Sequence, residues 1–138
     1  MKITAISRNG VIGVDADTRA GTLELLHAVD VAFEDGAFVR VPPGFVFDGA
    51  SIPPRARSII QSLTTAGSVL FALHDYGYRR GAHWTTPLGL VVPISRQRAD
   101  WMALALCTWL DLACDDSLQI YSALRVGGEA SYRQRDVL

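Results

Sequence analysis

Apolar and polar residues alternate along the first third of the chain. From Leu23 to Phe33 the odd positions are Leu23, Leu25, His27, Val29, Val31 and Phe33, and the even ones include Glu24, Asp30 and Ala32. A period of two predicts one half-buried strand, with His27 on its apolar face in a structural role. Glu34-Asp35-Gly36 supplies a hairpin turn, and Phe38 to Val41 returns as the partner strand. Pro42-Pro43-Gly44 ends that strand, and Phe45-Val46-Phe47 reads as a short extended segment. Ile3 to Ile6 and Val11 to Val14 predict a further hairpin around Asn9-Gly10.

After Asp48 the period changes. Pro54 to Ser62 predicts a short helix opened by proline, and Thr65 to Arg79 a second, stopped by Gly81. Gly81 to Ile94 reads as a loop. Ser95 suits an N-cap, so a long helix is expected from Arg96 to about Ala113. Asp115-Asp116-Ser117 caps a last helix to about Val126, closed by Gly127-Gly128. Strands first and helices second is the α+β pattern. One domain over 1–138 is expected, mainly β over 1–47 and mainly α over 48–138.

The 138 residues are 49% apolar, enough for a substantial core, and the net charge of −1 gives no broad field for nucleic acid. The residues after Lys2 fall short of the apolar run a secretory signal needs, and no stretch approaches a spanning helix. Cys107 and Cys114 fall in one predicted helix, roughly 10 Å apart. They are expected to be buried free thiols, too far apart for a disulfide.

The candidate chemistry lies on two helices. Asp100, Ala103, Leu104, Cys107, Asp111 and Cys114 share one face at steps of three and four, so Asp100 heads a mainly apolar stripe. A buried carboxylate needs a partner. His74 shares a stripe with Gly67, Leu70, Phe71 and Tyr78 on the preceding helix, and two helices packed antiparallel would bring it to Asp100. The carboxylate would fix the tautomer and leave the other ring nitrogen as a base; a purely structural pair is the alternative. Asp75 is rotated about 100° from His74. It suits either a solvated helix charge or, with Asp48 and a carbonyl of the Gly49 loop, oxygen ligands for calcium.

These blocks carry a resemblance. Asp48-Gly49-Ala50-Ser51-Ile52-Pro53, His74-Asp75-Tyr76-Gly77-Tyr78 and Ala99-Asp100 resemble the signature of domain of unknown function 1353, a family found largely in bacteriophages and prophages. They are also similar, more distantly, to the short prokaryotic and fungal secreted phospholipases A2. The resemblance implies a helical phospholipase A2-like core after the hairpins, with two antiparallel helices carrying the site. It implies His74 as the base that activates water, Asp100 as its orienting carboxylate, Asp48, Gly49 and Asp75 as ligands of Ca2+, and Tyr78 as structural support. Ala50 stands where the secreted enzymes place a cysteine. The absence of their disulfides fits a host-cytoplasmic or virion location.

Two functions follow from the resemblance. One is a phage-encoded calcium-dependent ester hydrolase acting on phospholipid at a membrane surface. The other is a non-catalytic head or tail protein that keeps the fold and contacts other phage structural proteins. Trp84, Leu88, Leu90 and Val91 are candidates for an apolar rim or a partner contact. His83 is expected to be exposed. Arg55, Arg57, Arg79, Arg80, Arg96 and Arg98 flank the proposed site, as solvated charge or as phosphate contacts. Trp101 and Trp109 share a separate helix face.

Overall fold

The computed structural model describes residues 2–7, 14–16, 23–47, 65–79, 81–112, 114–128 and 132. The chain runs through β1 (Ile3–Ile6), β2 (Val14–Ala16), β3 (Leu23–Leu25), β4 (Val29–Phe33), β5 (Phe38–Val41) and β6 (Val46–Phe47). It continues through α1 (Thr65–Gly77), β7 (His83–Thr85), β8 (Val91–Pro93), α2 (Arg96–Trp109) and α3 (Cys114–Gly127). This is an α+β fold. One antiparallel sheet has the order β1-β4-β5-β7-β8, and a smaller one the order β2-β3-β6. Among the described residues no helix is long and apolar enough to cross a membrane.

The β4–β5 hairpin forms where its turn residues place it. Gly36 takes φ +92°, a conformation open to glycine, and Asp35 Oδ1 accepts from the Ala37 amide at 3.0 Å. Val29 pairs with Val41 and Val31 with Val39, which puts Val29, Val31, Phe33, Val39 and Val41 on the buried face. On the other face Arg40 bonds Asp30 through Nε at 2.8 Å and Nη2 at 3.1 Å. That hydrogen bond, then the charge of Arg40, holds the Asp30 carboxyl below its ordinary value. Such an exposed, solvent-screened pair contributes little to stability.

The structure corrects several expectations. The strand expected over Leu23 to Phe33 is two strands in different sheets, parted by a bend at Leu26-His27. Leu25 is buried and exchanges hydrogen bonds with Gly44 and Phe45 on the small-sheet side, whereas Leu26 and His27 are exposed. His27 is therefore not a core residue. β1 pairs with β4, while β2 belongs to the other sheet, so these two do not make one hairpin. The segment expected as a loop over Gly81 to Ile94 is the β7–β8 hairpin, turned at Gly89 with φ +83° and closed by Thr86–Leu90 hydrogen bonds. The helix expected over Pro54 to Ser62 lies outside the described residues.

Ser95 caps α2 as its sequence position predicts, its hydroxyl accepting from the Arg98 amide at 3.0 Å. The helix stops at Trp109 rather than Ala113. Asp111 adopts φ +59° and the Leu112 amide bonds back to the Cys107 carbonyl, a left-handed helix stop. Cys107 and Cys114 therefore sit on different helices. Cys107 is buried and burial pushes its thiol up to about 12, which leaves it unreactive, whereas Cys114 is exposed. Asp111, expected on the buried stripe, is exposed for the same reason.

Helix α1 is buried almost all round, from Val69 to Tyr78 where side chains are described. It packs on α2 through small residues, with Gly77 against Ala99 and Ile94. A Cβ at position 77 would stand 2.7 Å from the Ala99 Cβ, which is backbone-anchored and cannot yield. Gly77→Ala is expected to cost about 1–3 kcal/mol by overpacking, read as a lowered denaturant midpoint at unchanged m-value.

Candidate functional site

The close approach of α1 to α2 brings together the polar residues that the helix stripes single out. His74 Nε2 lies 2.8 Å from Asp100 Oδ1, and both side chains are fully buried. Tyr78, one turn after His74, donates its hydroxyl to the same Oδ1 at 2.6 Å. The His74 and Tyr78 rings lie 4.2 Å apart between centroids. Asp100 Oδ2 accepts from Arg125 Nη1 at 2.9 Å, and Arg96 Nε stands 3.9 Å away, beyond a direct hydrogen bond.

Burial alone would raise the Asp100 carboxyl. The hydrogen bonds from His74 and Tyr78, the charge of His74 and the Arg125 bond outweigh it, so the group is held below its ordinary value. An ionised carboxylate only accepts, so Nε2 of His74 is the donor in this pair. In the neutral ring the basic lone pair is then on Nδ1. Burial, and next the bond to Asp100, raise the Tyr78 phenol above its ordinary range and keep it a donor.

These opposite shifts set opposite pH limits. Asp100, lowered on folding, contributes stability that is full above its unfolded value and lost as pH falls through its folded one. Tyr78, raised on folding, contributes stability that is full below its unfolded value and lost as pH rises through its folded one. Thermal melts across pH are expected to show a flatter acid limb for Asp100→Asn and a flatter alkaline limb for Tyr78→Phe than for the wild type.

Asp75 is buried as well, at 3% exposure, and is engaged rather than solvated. Of the three candidate calcium ligands it is the one within the described residues; Asp48 and Gly49 lie outside them. β6 ends at Phe47 on the flank of α1, where Phe45 meets Tyr76 edge-on at 5.6 Å and Arg79 Nη2 donates to the Val46 carbonyl at 3.2 Å. Among the described residues no group of three or more His, Cys, Asp or Glu is placed to hold a metal.

The flanking arginines divide. Arg96 donates to carbonyls at the end of α3, and Arg98 lies over Trp84, its Cζ 3.6 Å from the ring centroid. Arg55, Arg57 and Arg80 lie outside the described residues. His83 is exposed, as expected. Trp101 and Trp109 line a cleft with Lys2, Ile3, Leu104, Ala105 and Thr108. His74 lines neither this cleft nor those between Asp115 and Gly127 on α3 and beside Phe38, Arg40 and Trp84. Two residues around the dyad escaped sequence reasoning, Arg125 and Tyr132, and Gly128 was legible only as a helix stop. The signal available was that a buried Asp100 calls for a cation, but nothing local names which arginine supplies it.

A family model described as "Protein of unknown function (DUF1353)" matches residues 23–122. No curated protein and no solved structure matches the chain.

Proposed function

The chain belongs to the DUF1353 family, and we propose that this member is an ester hydrolase in which His74, oriented by Asp100, takes a proton from water. The observation that carries the reading is the buried His74–Asp100 pair at 2.8 Å with Tyr78 on the same carboxylate oxygen. Asp100 fixes the ring and its tautomer, and stabilises the imidazolium that forms when Nδ1 accepts the proton. Tyr78 holds the carboxylate in place. The substrate class proposed is phospholipid, met at a membrane surface, and the setting a bacteriophage or prophage.

Calcium belongs to this proposal through Asp48, Gly49 and Asp75. The donor chemistry suits a hard cation, with Asp75 a buried carboxylate one residue from the base. A bound calcium would supply a Lewis acid for the ester carbonyl. In this reading the proton transfer from water runs through His74 and Asp100, with no step on the ion.

The test is fatty-acid release from phosphatidylglycerol vesicles with calcium and with chelator. A calcium-stimulated rate that Asp75→Asn abolishes is expected; a wild-type rate no higher than that of His74→Ala sinks the hydrolase.

A second reading is favoured by one surface feature. Leu88, Leu90 and Val91 at the β7–β8 hairpin are 87%, 60% and 63% exposed. Such a tip suits a contact with a neighbouring protein. In this reading the chain is a non-catalytic phage head or tail component and the polar cluster only clamps the helices. Stoichiometric presence in purified virions is its requirement, and absence from them counts against it.

A further inference from the structure

The carboxylate of Asp100 has two oxygens, and the dyad uses one. His74 and Tyr78 both bond Oδ1, while Oδ2 accepts from Arg125 in the last turn of α3. That turn is also tied back to α2. Arg96 Nη2 donates to the carbonyls of Leu124, at 3.0 Å, and Arg125. The Leu124 carbonyl also accepts from the Gly128 amide at 2.9 Å, and carbonyls at a helix end carry partial negative charge, so a guanidinium there is well placed. Immediately beyond, a Cβ at Gly128 would overlap the Tyr78 hydroxyl and stand 2.6 Å from the Leu124 carbonyl oxygen. Glycine at 128 is what leaves room for that hydroxyl beside Asp100. Tyr132 then meets Tyr78 edge-on at 5.2 Å and donates to the Ile94 carbonyl at 3.2 Å. Arg125, Gly128 and Tyr132 all lie beyond residue 122, where the family match ends.

We propose that Arg125 is a positioning residue: by holding Oδ2 it sets the plane of the Asp100 carboxylate so that Oδ1 faces His74 and Tyr78. Docking of the last turn of α3 is thereby a condition for an assembled dyad. Rotation of an aspartate carboxylate about its last bond is soft. With Arg125 removed, the other cation near Oδ2 among the described residues is Arg96, whose Nε is 3.9 Å away. Arg125 acts on the dyad through Asp100, to which it bonds, and not on the reacting atoms. The inference rests on the hydrolytic reading for its purpose, though not for its test.

The test follows solvent exchange of the His74 Nε2 proton by NMR on the full chain without substrate, the signal being identified by its loss in His74→Gln. Arg125→Gln is expected to speed this exchange about tenfold or more, the worth of one charge-assisted hydrogen bond. The Leu106 backbone amide, in the core of α2, should keep its wild-type exchange, and Arg125→Lys should restore most of the protection. Equal acceleration of both protons, or of neither, would mean a merely structural arginine and overturns the proposal. Should Arg125→Gln fail to fold, Arg125→Met decides by the same readout: selective acceleration at His74 supports the proposal, and unchanged exchange overturns it. A protected, Arg125-dependent proton in a protein that cleaves no ester defeats the hydrolase and leaves the positioning role standing.

Discussion

Asp100→Ala is expected to lower stability by about 3–5 kcal/mol, the scale for removing one partner of a buried ion pair. The carboxylate is fully buried and serves His74, Tyr78 and Arg125. Its loss leaves three donors without an acceptor, one of them a guanidinium, and each buried donor left unmade costs about 1–3 kcal/mol before relaxation. Asp100→Asn keeps the shape and one acceptor oxygen, so it is expected to cost less, with the loss concentrated at Arg125. Asp30→Ala removes an aspartate bonded to an arginine at 2.8 Å, close to the 2.9 Å of the Asp100–Arg125 bond. That pair is solvent-exposed, and the change is expected to leave the urea midpoint nearly unmoved. Urea midpoints for the three variants measure the contrast. If Asp100→Ala and Asp30→Ala shift the midpoint equally, the cluster is not what locks α1 to α2.

His74→Gln is expected to reduce ester turnover by about a hundred- to ten-thousand-fold, the contribution of a positioned general base. Glutamine can still donate to Asp100, so the helix contact survives while the basic nitrogen is lost. The base acts on water and not on the bound ester, so kcat should fall with KM nearly unchanged. Steady-state kinetics, with melting curves run on the same samples, separate this outcome from simple unfolding. A rise in KM at constant kcat would place His74 in substrate binding instead.

Much of this architecture is legible in the sequence for identifiable reasons. The β4–β5 hairpin is announced by alternation and by a glycine that its turn needs, and α2 by the Ser95 cap. His74 and Asp100 stand out because each is a polar residue on an apolar stripe, and burial obliges them to find partners. The bend at Leu26-His27 is invisible because odd-position alternation continues straight across it, from Leu25 to Val29. The β7–β8 strands are three residues each, too short for a period to register, and Val91 on them faces outward. The end of α2 is hidden because Asp111, not glycine, takes the left-handed conformation there. Arg125 is illegible for a different reason. It meets Asp100 across 25 residues of sequence, and no local pattern encodes which turn of α3 packs over the dyad. Asp75 suits a solvated helix charge because aspartate is an ordinary surface residue; its burial comes from the cover over α1 from Val69 onward where side chains are described.

The most direct test of the account is a side-by-side measurement of fatty-acid release from phospholipid vesicles, in calcium, by wild type and by His74→Gln shown to be folded. The account predicts a wild-type rate at least about a hundredfold above the variant. Equal rates from two folded proteins would contradict it and leave the His74–Asp100–Arg125 cluster as a structural clamp between helices.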